Sequence, residues 1–211
     1  MIPVPPMAFI DANILFSRTL RDWICLLCLE GSRSAYDLRW SEDVLAEWIY
    51  RARRHKPDIT DQALGGVRRN IEQAFPHALV TGYDLALTPA LPDPHDRHVL
   101  AAALHAEVDM LVTDDRAAFP ENALKGQLDV YTADEFLVWV ADNHTNLLLP
   151  VLDRQVAYFR KYAIVTGGER GENRLIEALQ KAGAGAFAER LISMTAAGLA
   201  DHTEAVAAEE A

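Results

Sequence analysis

Carboxylates gather at three places along the chain that could together hold a cation. The first is Asp11, which directly follows the apolar run Met7–Ile10. The second is the pair Asp93 and Asp96, at the start of an alanine-rich segment, and the third is Asp114-Asp115, after another apolar run. Acids that lie close together cannot all stay ionised without compensation, and a divalent metal ion is the usual one. Oxygen ligands with no cysteine nearby select Mg²⁺ or Mn²⁺ over zinc.

Alternating strand and helix patterns predict that these acids share one edge of a sheet. Such alternation is typical of an α/β sandwich with a mostly parallel sheet, and parallel sheets bind ligands at the carboxyl ends of their strands. We expect Asp11 and Asp115 to face the same crevice. Asp96, in the first turn of a helix that begins at Asp93 and runs to about residue 106, is expected to point towards it. Strands or extended pieces are predicted at residues 7–10, 38–40, 78–81, 110–113 and 129–131.

Most of the acids also have an explanation that involves no chemistry. Asp93 fits a helix N-cap, and one of Asp114-Asp115 fits a solvated turn after a strand. Glu47 lies four residues before Arg51, the spacing of an ordinary helical ion pair, and the sequence does not show whether Glu47 points into the crevice. For Asp11 this explanation is weakest, because an acid at the end of an apolar strand is costly to bury without a cation or several donors.

The charge balance restricts the partners of the chain. Thirty-one acidic and twenty basic residues give a formal net charge of -11, which opposes non-specific binding to nucleic acid. The run 51–56 is locally basic, however, and an acidic site with a basic rim suits a phosphodiester held beside metal ions. The same run also fits a solvated helix end, where cations are favoured near the last carbonyls.

The length and composition indicate one α/β domain with an appendage. We expect a domain over residues 7–142 and an all-helical extension over 143–211 with a frayed acidic tail. No apolar run is long enough to span a bilayer and the first residues do not resemble a secretory signal, so the protein is expected in the cytoplasm, with no membrane partner. Cys25 and Cys28 have the spacing of some zinc and redox sites, but both fit the buried side of a helix.

Three blocks of the chain match a known family. The segments Phe9–Asn13, Leu91–Ala103 and Leu111–Asp115 resemble the PIN domain, and within it the VapC-type toxins of bacterial toxin–antitoxin pairs. The resemblance extends over about Ala8–Trp139, and its middle block is the most specific. It implies a PIN-like three-layer α/β/α sandwich, to which the C-terminal helices would be added.

The resemblance also implies roles for particular residues. The catalytic and metal-binding acids of the family fall on Asp11, Glu47, Asp96 and Asp115. Its supporting positions fall on Asn13, Asp93, Thr113 and, as a fallback for the fourth acid, Asp114. Thr113 begins a Thr-x-Asp element that Phe119-Pro120 completes, but Ala118 stands where some relatives carry a further acid.

The activity that the resemblance implies is that of a Mg²⁺- or Mn²⁺-dependent endoribonuclease, commonly one that cuts structured RNA such as tRNA. It also implies a small cognate antitoxin and a homodimer or toxin–antitoxin hetero-oligomer. Arg51, Arg53 and Arg54 are expected to contact the RNA backbone.

Two other classes of protein stay open at this point. One is a PIN-like domain that binds RNA or a protein without cutting. The other is a receiver-type phosphoacceptor domain, which needs an acid pair after the first strand and a lysine on a late loop. Only Asp11-Ala12-Asn13 follows the first strand, and no lysine is suitably placed.

Overall fold

Five parallel strands form the central sheet of the computed structural model, which describes residues 4–32, 35–124, 126–166 and 171–195. Their order across the sheet is β3-β2-β1-β4-β5, and every neighbouring pair is parallel. The strands are β1 (Met7–Ile10), β2 (Asp37–Ser41), β3 (Leu79–Val80), β4 (Met110–Val112) and β5 (Asp129–Tyr131). The predicted α/β/α sandwich with a parallel sheet is confirmed.

Helices connect the strands and follow them. The helices of the sheet region are α1 (Ala12–Phe16), α2 (Arg18–Glu30), α3 (Glu42–His55), α4 (Asp61–Ala74), α5 (Arg97–His105), α6 (Glu121–Leu124) and α7 (Ala133–Asn143). The C-terminal region adds α8 (Leu148–Thr166), α9 (Gly171–Lys181) and α10, which spans residues 185–195. Several of the helices begin at a side-chain cap, as at Ser41 and Thr132, whose hydroxyls accept from the backbone N–H three residues later.

Strand β1 lies in the middle of the sheet and determines where the acids meet. Its residues Ala8 and Phe9 are fully buried, as expected for an apolar run covered on both faces. Ile10 pairs with Val112 of β4, so β1 and β4 end side by side. The residues that follow the two strands are therefore brought together, although they lie about a hundred positions apart in the chain.

One helix prediction needs correction, and helix α1 was not predicted at all. The helix predicted to run from Asp93 to about residue 106 is divided into a 3-10 turn, Pro94–Asp96, and α5 from Arg97. The turn forms because the Asp93 carboxylate accepts from the backbone N–H of His95, two residues on, at 2.8 Å. Helix α1 was not predicted, because five residues are too few to show helical periodicity.

The C-terminal helices α8, α9 and α10 pack beside the sheet region. The rings of Trp23 in α2 and Phe187 in α10 are fully buried and meet edge to face, with centroids 5.0 Å apart. Leu175 and Leu179 of α9 belong to the same buried core as the sheet.

The domain division at residue 142 stays a prediction, and the tail expected to fray, residues 204–211, lies outside the described residues. None of the helices in the described ranges has the length and apolar character needed to cross a membrane.

The two cysteines lie in α2, as predicted. Cys28 is buried, and its thiol donates to the carbonyl of Tyr36 at 3.3 Å. Cys25 is only partly buried but packs against the core. Desolvation raises its pKa to about 12, so its thiol stays protonated at neutral pH. Both observations favour packing in the core over metal or redox chemistry.

Candidate active site

Asp11 follows β1 directly and is held by three donors. Its side chain is only 6% exposed. One carboxylate oxygen accepts from the backbone N–H of Ala12 at 2.5 Å, and the other accepts from the Thr113 hydroxyl at 2.7 Å and the Asn13 amide at 2.8 Å. Burial raises the pKa of Asp11, while the hydrogen bonds from Thr113 and Ala12 act in the opposite direction. The carboxylate is therefore fixed in orientation at the end of the central strand.

Thr113 links the two strand ends. Besides donating to Asp11, its hydroxyl oxygen accepts from the Asn13 amide at 2.9 Å and from the backbone N–H of Asp115 at 3.1 Å. Asn13 in turn accepts from the backbone N–H of Asp114 at 3.4 Å. The supporting roles predicted for Asn13 and Thr113 thus correspond to a hydrogen-bonded bridge between β1 and the turn after β4.

The two adjacent acids after β4 have different surroundings. Asp114 accepts from the backbone N–H of Ala133 at 3.0 Å, at the first residue of α7, so its carboxylate caps that helix. Asp115 is exposed, and its charge acts on Asp96. The arrangement favours Asp115 over Asp114 as the acid that contributes to the site.

Asp96 is the residue at which the acids converge. It is the N-cap of α5 but accepts no capping hydrogen bond with its side chain. Its pKa is raised from 3.8 to about 6, first by burial and then by the negative charges of Asp11, Asp93, Asp115 and Glu47. Acids from four separate parts of the chain therefore lie close enough to repel the charge of this one carboxylate.

Glu47 belongs to this group and is also ion-paired. It projects from α3 and accepts from the guanidinium of Arg51 at 2.8 Å (Nε) and 2.5 Å (Nη2). The Nε2 atom of His98 lies 3.5 Å from its other carboxylate oxygen. The hydrogen bond from His98, followed by Arg51, lowers the pKa of Glu47, although partial burial acts against it. Both interpretations of Glu47, as a helical ion pair and as a member of the acidic group, are consistent with the structure.

Sequence reasoning missed His98 and Tyr50. His98 faces Glu47. Burial lowers the pKa of His98, but the hydrogen bond and the charge of Glu47 outweigh it, so that the pKa is raised. Tyr50 carried a signal that was not used, namely its position one helical turn after Glu47. Both residues line a surface cavity of about 610 Å³ beside the acids, together with Glu47, Arg51, Arg54, Asp93, His95 and Asp96.

The three arginines predicted to contact RNA do not share one environment. Arg51 lines the cavity and is paired with Glu47, and Arg54 also lines the cavity. Arg53 instead pairs with Asp61 of α4 at 2.5 Å and does not line the cavity. The structure therefore places two of the three cations beside the acids.

The donor set fits a hard divalent cation. Asp11, Glu47, Asp96 and Asp115 offer carboxylate oxygens without a cysteine, which is the ligand chemistry of Mg²⁺ and Mn²⁺. Burial raises the pKa of Asp96, and the negative charges of four neighbouring acids raise it further; a cation would relieve the second effect. Within the described ranges, however, no three His, Cys, Asp or Glu residues form a ready-made metal centre. The carboxylates would have to approach one another to hold an ion.

The comparison with protein families agrees with this geometry. The sequence model of the PIN domain family matches residues 8–117, which are 110 of the 211 residues. The chain belongs to the PIN domain family, whose members are in general nucleases and typically use divalent metals. The matched segment contains all four acids of the candidate site, from Asp11 to Asp115. No curated protein and no solved structure gave a significant match.

Proposed function

We propose that the protein is a metal-dependent endoribonuclease and the toxin of a VapBC-type pair, hydrolysing RNA phosphodiesters through an activated water. The crowding of Asp96 by Asp11, Asp93, Asp115 and Glu47 is the observation that carries this proposal. Asp96 and these four acids are concentrated near the carboxyl ends of parallel strands, where such sheets bind ligands. A nuclease that uses divalent ions needs such a concentration of negative charge to bind them, whereas the stability of the fold does not require it.

Each acid has a proposed role in the site. Asp11, Glu47, Asp96 and Asp115 would hold one or two Mg²⁺ or Mn²⁺ ions. When bound, the metal would supply a water of lowered pKa and neutralise charge on the leaving oxygen. The three hydrogen bonds on Asp11 keep its carboxylate aimed at one point, so little reorganisation is needed on that side of the site.

Positive charge is concentrated locally beside the acids, although the chain as a whole is negative. Arg51 and Arg54 line the cavity beside the acids, where they would contact the phosphates of the approaching RNA strand. The partners that we propose are a cellular RNA such as tRNA, a small cognate antitoxin, and a second copy of the chain in a homodimer or hetero-oligomer. The proposed activity takes place in the cytoplasm.

Cleavage of RNA by the purified protein tests the proposal. Total RNA and tRNA are incubated with the protein in Mn²⁺, in Mg²⁺ and in EDTA, beside Asp11→Asn and Asp96→Asn variants. We expect metal-dependent cleavage by the wild type and a loss of at least about 100-fold in both variants. Asp58→Asn, which alters an exposed acid in the loop between α3 and α4, is the matched control and should cleave normally. Cleavage that persists in both variants would remove the site assignment.

The non-catalytic PIN-like domain is supported by one observation. Arg51 and His98 already provide positive charge at Glu47, so one of the four acids is compensated without a metal. If neither metal supports cleavage of any cellular RNA and calorimetry detects no Mn²⁺ binding, the binding function replaces the nuclease. The toxin role has its own test, because co-expression with a small upstream reading frame should yield a complex in which cleavage is suppressed.

A further inference from the structure

We infer that the cavity beside the acids is a subsite for one unpaired nucleotide, with the base stacked on Tyr50 and the neighbouring phosphate held by Arg54 and Arg51. This inference rests on the proposed function, because it names the part of an RNA that reaches the acidic site. It adds a residue, Tyr50, that no part of the mechanism above uses, and assigns it one base of the RNA.

One face of α3 connects the acids to the proposed subsite. Glu47, Tyr50, Arg51 and Arg54 stand at positions i, i+3, i+4 and i+7, so they form a single stripe along the helix, and all four line the cavity. Seven residues of helix rise about 10 Å, roughly the length of three stacked nucleotides at about 3.4 Å each. A strand lying along the stripe would pass from the arginines to the acids within a few nucleotides.

Tyr50 has no role in the core. Its side chain is 59% exposed although it belongs to a helix whose opposite face is buried through Val44, Leu45 and Trp48. The Arg54 guanidinium lies 5.8 Å from the centroid of the Tyr50 ring, within the range of a cation–π contact that steadies the ring. An exposed aromatic face next to a cation is the combination that binds single-stranded nucleic acid, since every base has a π-face to stack.

Arg54 is available for a phosphate. Among the residues that the structure describes, no carboxylate lies within ion-pair distance of Arg54, whereas Arg53 is paired with Asp61. Arg51 is paired with Glu47 at the end of the cavity nearer the acids. Asp93 and Asp96 line the same cavity, so a phosphate between Arg54 and Arg51 would leave the next phosphodiester in the cavity that these acids line. Bases paired in a duplex cannot unstack onto Tyr50, which is why the subsite requires an unpaired nucleotide.

The test measures binding of a short single-stranded RNA that contains one 2-aminopurine. The measurements use full-length protein in an Asp96→Asn background, which the proposed mechanism leaves without cleavage. We expect quenching of 2-aminopurine fluorescence on binding. Tyr50→Ala should abolish that quenching and weaken binding about 5- to 150-fold, while Tyr50→Phe should retain both. Arg54→Ala should lower the slope of log affinity against log salt by about 0.7, and Arg53→Ala, the matched control, should leave it unchanged.

Several results would overturn the subsite. The subsite is wrong if Tyr50→Ala binds the RNA and quenches the 2-aminopurine fluorescence as strongly as its parent. It is also wrong if Tyr50→Ala weakens binding to single-stranded RNA and to a fully paired duplex by the same factor. Thermal melting of each variant excludes misfolding, which is not expected at so exposed a position. Tyr50-dependent binding by a protein that never cleaves RNA would end the nuclease proposal and leave the subsite. Cleavage accompanied by Tyr50-independent binding would end the subsite alone.

Discussion

Replacing Asp96 by Asn should make the metal-free protein more stable at neutral pH. The carboxylate has a pKa of about 6 in the folded chain, against 3.8 for an ordinary aspartate. A folded-state pKa above the unfolded value means that folding disfavours the charged form. The wild type therefore loses stability as the pH rises through about 6, and an uncharged Asn avoids that loss.

The size of this effect follows from the pKa shift. Two pKa units correspond to at most about 3 kcal/mol. Asp96 is partly exposed, so solvent screening reduces that figure severalfold. The charge of an acid at the start of α5 also favours the helix by about 0.3–1 kcal/mol, which acts in the opposite direction. Screening leaves about 1 kcal/mol, from which the helix effect is subtracted. Because Asp96 makes no side-chain cap hydrogen bond that Asn would lose, we expect a net gain of about 0.5 kcal/mol.

Urea denaturation in EDTA measures this gain. The difference between Asp96→Asn and wild type should be present at pH 7.5 and should disappear as the pH falls towards 4. Asp58→Asn, which lies away from the acids, should show no such dependence. Saturating Mn²⁺ should reverse the order, because a ligand at about 100 times its Kd stabilises the wild type by about 2.7 kcal/mol and Asp96→Asn cannot bind it fully.

One outcome would refute the reasoning. If the difference in stability between Asp96→Asn and the wild type in EDTA does not change between pH 4 and pH 7.5, folding does not disfavour the charge of Asp96. The observation on which the metal site depends would then be lost, whatever the protein does to RNA.

Three further predictions concern other contacts. Arg51→Gln should tighten Mn²⁺ binding by up to about 5-fold in calorimetry, because the exposed guanidinium competes with the metal for Glu47; weaker binding would contradict this. Thr113→Ala should lower the free energy of unfolding by about 1–3 kcal/mol, because Asp11 loses a buried donor, and Thr113→Ser should restore it. Phe187→Ala should cost about 3–5 kcal/mol in urea denaturation, and a loss below about 1 kcal/mol would show that α10 does not pack on α2.

The sheet and the place of Asp11 at the end of strand β1 could be predicted because local patterns determine them. An apolar run of four residues ends at Asp11, and another ends at Thr113, so parallel pairing alone brings these residues together. The residue types at Thr132 and Glu135 also predict a capping box, and both hydrogen bonds of that box are present. In each case the residues that form the feature are neighbours in the chain or follow paired strands.

The rest of the site depends on how the helices pack, which the sequence does not display. Whether Glu47 points to the acids depends on where α3 lies, and its pairing with His98 joins two helices that are far apart in the chain. Arg53 and Arg54 are adjacent and chemically identical, yet about 100° of helical rotation directs one to Asp61 and the other to the cavity. Which of the two arginines lines the cavity can therefore be determined only from the three-dimensional structure.

The order of strands in the sheet has a consequence for the protein during its own synthesis. Strand β1 is made before its partner β4, and β2, β3 and five helices lie between them in the chain. Until β4 and the turn after it have left the ribosome, Asp11 lacks the hydroxyl donor of Thr113. A nascent chain that stops short of β4 therefore cannot assemble the acidic centre.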